Sequence, residues 1–325
     1  MTRKISLVFI LLMSACTTTI PLDLDQGERR LILNAQWDNA EEEHLAYAGI
    51  SDKDRMLPAE AGTICCYVDE EPVSLSNSPV RIVSDQACYG LHAGLKPGNR
   101  MKLEFMQGSE KAYSEVTVPE KAGKILKVDT LQKAGQVQFK VTIKDLSQER
   151  NYFRLRIVHI YHASVYRRDS SGEMVLISEN DGIEDLALSN EMDPILKNGK
   201  LGGSIDEKFF DITAPNLYSV FSDRLFSGDE CTLSVSVDEN KLYSIKVGDL
   251  YDKISIRHKA EIRLETITLQ TYDYLVALDQ MESGQSDSFS LLEPAVLPSN
   301  VIGGTGFVSV STPDIQTINL KEARF

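Results

Sequence analysis

A long β-strand is predicted over residues 151–167, which read NYFRLRIVHIYHASVYR. It is the clearest strand of a β-rich region that begins at Lys124. Other clear strands of this region are predicted at 124–131, 137–143, 231–237 and 254–269. We therefore expect residues 121–325 to form a β-rich second domain.

One amphipathic helix is predicted in this second domain, near residues 270–281. Tyr274, Leu275, Leu278 and Met281 recur there at the spacing of one helix face. Such a helix most often covers one face or one end of a sheet.

The sequence before residue 121 predicts a small β-sandwich at residues 29–120. Short apolar or alternating runs are separated by turn signals such as Lys96-Pro97-Gly98-Asn99. Six or seven strands in this length fit the immunoglobulin or fibronectin type. The expected fold class is therefore mostly β, with an N-terminal immunoglobulin/fibronectin-like sandwich followed by a larger β-rich domain that has one amphipathic helix.

The N-terminus has the pattern of a lipoprotein export signal over residues 1–15. Arg3 and Lys4 supply positive charge, residues 5–13 are apolar, and Ser14-Ala15 precede Cys16. A cysteine at this point accepts a diacylglycerol before cleavage, so we predict lipidation of Cys16. Residues 16–28 have little periodicity and are interpreted as a lipid-anchored tether. A secreted protein with a chance cysteine is the alternative.

The chain is strongly acidic. Its formal net charge of −14 becomes −16 when Arg3 and Lys4 leave with the signal peptide. Such a surface repels phosphate groups, and no basic cluster is denser than Arg167-Arg168, so the sequence argues against nucleic-acid binding.

Four cysteines remain after Cys16, and an exported protein is permitted a disulfide. We predict one bond, between Cys88 and Cys65 or Cys66, with Cys231 free. The alternative is that all four are small buried apolar residues.

No catalytic motif stands out, and we expect no enzyme activity, cofactor or metal site. His159 and His162 are three residues apart on a strand, so their side chains should point to opposite faces. Trp37 is expected in the core. The segment Gly303-Gly304-Thr305-Gly306 is expected to be a glycine-rich turn whose positive-φ positions let the C-terminal segment fold back onto the body.

The order of several short segments resembles a Bacteroidota lipoprotein family known as domain of unknown function 4249. The matching segments are Leu31-Ile32-Leu33-Asn34, Leu95-Lys96-Pro97-Gly98, Tyr113 with Val118-Pro119, Asn151-Tyr152-Phe153-Arg154-Leu155, residues 221–228, Tyr272-Asp273-Tyr274-Leu275, and residues 298–307. Met101 departs from the family, where an aromatic residue often follows the Pro-Gly turn.

The resemblance implies a non-enzymatic accessory of a TonB-dependent outer-membrane transporter, which captures substrate or stabilises the complex. It also implies anchoring in the outer membrane, at the cell surface or the periplasmic face. Asp129-Thr130-Leu131 fits the O-glycosylation pattern of that lineage, so Thr130 is a predicted modification site. The alternatives are a structural envelope or surface-assembly module without a small ligand and, third, a glycan or peptide hydrolase.

Overall fold

A computed structural model describes residues 29–52, 55–58, 61–83, 86–201, 216–243, 253–283, 297–320 and 323–324. The predicted signal peptide and the tether that follows it, with Cys16, lie outside these residues. Within them the protein is mostly β, which confirms the predicted fold class.

The strands that precede residue 120 are β1 (Arg30–Asp38), β2 (Glu43–Asp52), β3 (Arg55–Pro58), β4 (Thr63–Val68), β5 (Glu71–Ser76), β6 (Arg81–Val83), β7 (Gln86–His92), β8 (Arg100–Gln107) and β9 (Glu110–Thr117). The later strands are β10 (Gly123–Lys133), β11 (Gln136–Asp145), β12 (Tyr152–Arg168), β13 (Met174–Asp185), β14 (Val220–Ser222), β15 (Glu230–Asp238), β16 (Lys253–Ile267), β17 (Gly304–Thr305), β18 (Val308–Asn319) and β19 (Ala323–Arg324). The helices are α1 (Pro194–Lys197), α2 (Glu239–Tyr243) and α3 (Leu269–Glu282).

One large sheet forms the frame, with strand order β13-β12-β16-β18-β1-β2-β7-β6. A four-stranded sheet of order β5-β4-β8-β9 covers one part of it, and a three-stranded sheet of order β10-β11-β15 covers another. A separate apolar core fills each of the two layers between the sheets. The molecule is therefore built as two sandwiches that share one sheet.

Both cores lie on the same face of the large sheet. On β18, Val308 and Val310 belong to the first core and Ile318 packs against the second. Side chains at even positions of one strand share a face. The opposite face, which we call the back face, is covered by neither small sheet.

The first and last long strands are neighbours in the large sheet. β1 pairs with β18 in parallel, with Ala35 opposite Val308 and Trp37 opposite Val310. The first sandwich thus takes a strand from the C-terminal part of the chain. Strand pairing crosses the boundary predicted at residue 120, and the domain limits themselves stay a prediction.

Helix α3 occupies the predicted position. Thr268 caps its first turn by accepting a hydrogen bond from the Thr271 amide, and the apolar residues Leu275 and Val276 are buried. Met281, expected on the apolar face, is 41% exposed, because it lies in the last turn beyond the buried part of the helix.

The glycine-rich segment before β18 is a turn, as predicted. Gly303 and Gly306 have φ of 76° and 118°, a region that disfavours side chains. A Cβ on Gly306 would also lie 2.2 Å from the Leu33 carbonyl oxygen. Gly306 therefore lets the C-terminal segment approach the β1 backbone closely enough to pair with it.

The four cysteines of the described residues are free thiols, which corrects the predicted bond between Cys88 and Cys65 or Cys66. Cys65 and Cys88 each lie between two residues of the first core, so their side chains point out of the sandwich from different sheets. Cys66 points into that core, away from Cys88. Cys231 is free, as predicted, and burial raises the pKa of the Cys66 and Cys231 thiols to about 12.

None of the helices in the described ranges is long and apolar enough to span a bilayer.

Candidate functional site

The back face of the large sheet carries a row of charged side chains across neighbouring strands. On β16, Ala260, Ile262 and Leu264 enter the second core, so Glu261, Arg263 and Glu265 lie on the back face. On β12 the alternation places Arg154 and Arg156 on the same face. These charges are only partly exposed, and the electrostatics of this face depend on how they are paired.

Arg263 reaches over one strand to pair with another. Its guanidinium donates to Asp38 Oδ2 on β1 at 2.7 Å and to Glu261 Oε1 at 2.7 Å. The strands β16 and β1 are separated by β18, so they are roughly 10 Å apart. On this face of β18, Ile315 lies opposite Arg263 and Ser311 lies opposite Asp38, so the arginine reaches its partner diagonally across the strand.

Arg156 also has two carboxylate partners. Its Nη1 donates to Glu265 Oε1 at 2.8 Å, and its Nη2 donates to Asp185 Oδ2 on β13 at 2.5 Å. Burial opposes the positive charge, but Glu265 and Asp185 outweigh it and raise the pKa of Arg156. The positive charge of Arg156 is therefore compensated by carboxylates of the same chain.

Arg154 differs from both. Its nearest carboxylate oxygen, Glu265 Oε2, is 4.0 Å away. Its buried Nε has no acceptor among the described residues, which is equally true of the Nε atoms of Arg156 and Arg263. The ring of Tyr218 lies 5.5 Å from its guanidinium carbon. Burial is the main influence and lowers the pKa of Arg154. Arg154 is therefore a buried cation whose positive charge is only partly compensated by nearby carboxylates.

These side chains line a groove on the back face. A cavity of about 200 Å³ adjoins a second of about 520 Å³, and the two share the wall formed by residues 36–38 of β1. The smaller cavity is lined by Arg154, Arg156, Asp185, Glu265, Ser309 and Ser311. The larger one is lined by Asn34, Glu41, Glu43, Tyr47, Tyr274 and Phe307. We call the two together the back-face groove.

An aromatic pair forms one wall of the larger cavity. Tyr274 of α3 stacks on Phe307 with ring centroids 4.0 Å apart and planes at 6°. The Phe307 amide donates to Asn34 Oδ1 on β1 at 2.9 Å. The turn at Gly306 and the capped helix α3 therefore fix this apolar wall.

Trp37 and His44 border the same cavity. Their rings stack at 4.5 Å, and the indole Nε1 donates to the Leu45 carbonyl at 2.8 Å. Burial lowers the pKa of His44. Trp37 is buried in the first core, as predicted.

A second charged cavity, of about 660 Å³, lies on the outer face of the four-stranded sheet. At its centre is Glu104, whose carboxylate lies 2.8 Å from Lys102 Nζ and 2.7 Å from Lys111 Nζ. Burial alone would raise the pKa of Glu104, but the two lysines lower it below its ordinary value. This carboxylate has its counterions within the fold.

The two histidines weighed as a metal pair point apart, as predicted. His159 Nε2 lies 2.9 Å from His258 Nδ1 in the interior, whereas His162 Nδ1 lies 2.7 Å from Asp181 Oδ1 near the surface. The contact of His159 with His258 was not foreseen. The described parts of the chain contain no group of three or more His, Cys, Asp or Glu side chains placed to hold a metal ion.

Thr130 is exposed on β10, and its predicted glycosylation stays a prediction. The groove arginines and their carboxylate partners were missed from the sequence. The available signal was the alternation of charged and apolar residues on β12 and β16, which placed charges on one face of each strand.

Residues 17–317 match the family described as Domain of unknown function (DUF4249). The chain belongs to the DUF4249 family. This confirms the family resemblance seen in the sequence, and the match takes in β1 and most of β18.

Among solved structures, 60 chains match this DUF4249 chain. No curated protein matches it. A solved structure from Bacteroides uniformis, described as a "putative carbohydrate binding protein", is similar at 10% sequence identity with a TM-score of 0.20, over 89% of this chain and 98% of that one. This similarity is too weak to show a shared fold or ligand.

Proposed function

We propose that this DUF4249 protein is a non-enzymatic accessory of a TonB-dependent outer-membrane transporter and captures substrate in the back-face groove. In this proposal Cys16 carries the lipid that anchors the protein in the outer membrane. The groove is the single observation that carries the capture role.

The groove has the composition of a ligand site. Ligand sites combine apolar walls with a few placed polar groups, and here the Tyr274–Phe307 stack adjoins partly exposed arginines. The carboxylates Asp38, Asp185 and Glu265 each contact an arginine. Because these carboxylates are engaged in ion pairs with arginines, they suit ligand recognition better than acid–base chemistry.

The transporter as partner rests on family membership and on the expected anchor. A short tether would hold the body close to the membrane, which raises its effective concentration near any transporter there. The acidic charge is compatible with a soluble body on a membrane anchor.

Cross-linking in intact cells, followed by purification through a C-terminal tag, tests the association. We expect a β-barrel transporter of large mass to be recovered with the wild-type chain. The Cys16→Ala variant should lose incorporation of a labelled lipid precursor, leave the membrane fraction and recover much less transporter.

Repeated recovery of the tagged protein without a transporter would contradict the proposal, provided that other lipoprotein–transporter pairs are captured under the same conditions. The structural envelope module would then be the better hypothesis. A Cys16→Ala variant that stays wholly with membranes would contradict the lipid anchor.

A further inference from the structure

We propose that Arg154 anchors a carboxylate of the ligand, and that the ligand is a short peptide with free termini. This inference rests on the proposed capture function and adds a substrate class to it.

The first step is the pairing of the three groove arginines. Arg156 and Arg263 each donate to two carboxylates at 2.5 to 2.8 Å. Arg154 has no carboxylate closer than 4.0 Å. Buried charges in proteins are normally paired. A ligand carboxylate would supply the missing partner, and guanidinium N–H groups match its planar geometry.

The second step is access. The Arg154 side chain is 20% exposed and lines the smaller cavity. A volume of about 200 Å³ corresponds to roughly six water molecules. That space fits a carboxylate and the atoms next to it, so the rest of the ligand must extend into the larger cavity.

The third step is the charge of the larger cavity. Glu41 and Glu43 line it, and Asp38 lies on the wall shared with the smaller cavity. With Asp185, Glu261 and Glu265, the groove and its ion pairs hold six carboxylates against three arginines. This excess of negative charge repels a dianionic phosphate and favours a ligand whose far end is an amine.

The remaining step is the wall between the two ends. Tyr47 and Tyr274 present ring surface in the larger cavity, and the buried Phe307 supports the Tyr274 ring by stacking on it. A peptide supplies an anionic end, a cationic end and side chains for these rings. A zwitterionic peptide therefore satisfies all three parts of the groove.

The test is calorimetric titration of the full-length protein in mild detergent with the tripeptide Ala-Tyr-Ala. Its C-terminal amide and its N-acetyl form serve as matched ligands, and inorganic phosphate serves as a competing anion. We expect the free peptide to bind at least tenfold more tightly than the amide, the N-acetyl form to bind more weakly than the free peptide, and phosphate not to compete at equal concentration.

The variant Arg154→Gln should abolish the preference for the free carboxylate, whereas Arg154→Lys should keep part of it. Arg257→Gln is the control, because Arg257 is an exposed arginine on the back face of β16, away from the groove. A purely structural role for Arg154 would predict a loss of thermal stability in Arg154→Gln. We expect no loss, since the apo protein is relieved of an incompletely paired buried charge.

The inference is overturned if the free peptide does not bind, if acid and amide bind with equal affinity, or if Arg154→Gln leaves the preference unchanged. Stronger binding of phosphate than of peptide would replace the peptide by another anion and also overturn it. Recovery of the transporter by the tagged chain is a separate readout, so the peptide inference can fail while the accessory function stands.

Discussion

The two charged cavities of this molecule differ in how their central ion is compensated. Glu104, on the four-stranded sheet, has two lysines of its own chain within 2.8 Å. Arg154, in the back-face groove, has one carboxylate oxygen at 4.0 Å. When residues of the same chain supply all the counterions of a buried ion, the fold itself accounts for the burial of that charge. A buried ion that lacks them indicates a partner from outside.

The largest expected effect is that of Glu265→Gln. Glu265 contacts Arg156 and lies 4.0 Å from both Arg154 and Arg263, so the variant leaves buried cations without their shared anion. Removing one partner of a buried pair costs about 3–5 kcal/mol. Urea unfolding should show this loss, and Glu184→Gln, on exposed β13, is the control. A loss equal to that of the control would mean that the groove charges are solvated.

Glu104→Gln should have a smaller effect, although the Glu104 side chain is equally buried. Its partners Lys102 and Lys111 are 34% and 47% exposed, so they can turn to solvent when the carboxylate is removed. We expect a loss in the free energy of unfolding of about 2 kcal/mol. A loss as large as that of Glu265→Gln would remove the distinction between the two cavities.

The His159–His258 pair is a third kind of buried ionisable site, because no carboxylate of the described residues pairs with either ring. Burial, with a contribution from His159, lowers the pKa of His258 to about 4. Between about pH 6.5 and pH 4 the unfolded chain therefore binds more protons than the folded one, and stability falls as the pH falls.

The loss from pH 7 to pH 4 that belongs to this histidine should be about 3 kcal/mol. The variant His258→Gln should remove this contribution to the pH-dependent loss of stability, while the contribution of the carboxylates stays the same. Unfolding at pH 7 and pH 4 measures the difference between the two proteins. An identical pH dependence would show that the pair is protonated in the fold.

The smallest expected effect is that of Arg154→Gln on the empty protein. Its free energy of unfolding should stay the same or rise by less than about 1 kcal/mol. Differential scanning calorimetry without ligand provides the measurement. A clear loss of stability would show that Arg154, like Glu104, takes part in ion pairs that stabilise the fold.

Local patterns in the sequence predicted β10, β11, β12, β15 and β16, helix α3 and the turn at Gly306, because period and glycine placement act over a few residues. They did not identify β13 or β18 as strands. They did not predict that β1 pairs with β18, since no local signal joins Ala35 to Val308. The disulfide prediction failed for the same reason. Cys88 and Cys65 are close in sequence, but they lie on different sheets and both side chains point out of the sandwich.

The site was less predictable than the fold. Arg154 and Arg156 alternate with apolar residues on β12, so a polar face could be expected. Which of the two lacks a counterion depends on the strands that flank β12 and β16. Arg263 contacts Asp38 only because β18 sets the register between β16 and β1.

The parallel pairing of β1 with β18 has a consequence for how the protein is made. The large sheet cannot close until β18, the last long strand, has been synthesised, so contacts of very long sequence separation must form late and slowly. Until then β1 presents an open edge that is prone to pair with other chains. A chain that ends before β18 would leave this edge of β1 unpaired and would also expose the facing edge of β16. The C-terminal segment therefore protects the sheet from aggregation by pairing with both strands.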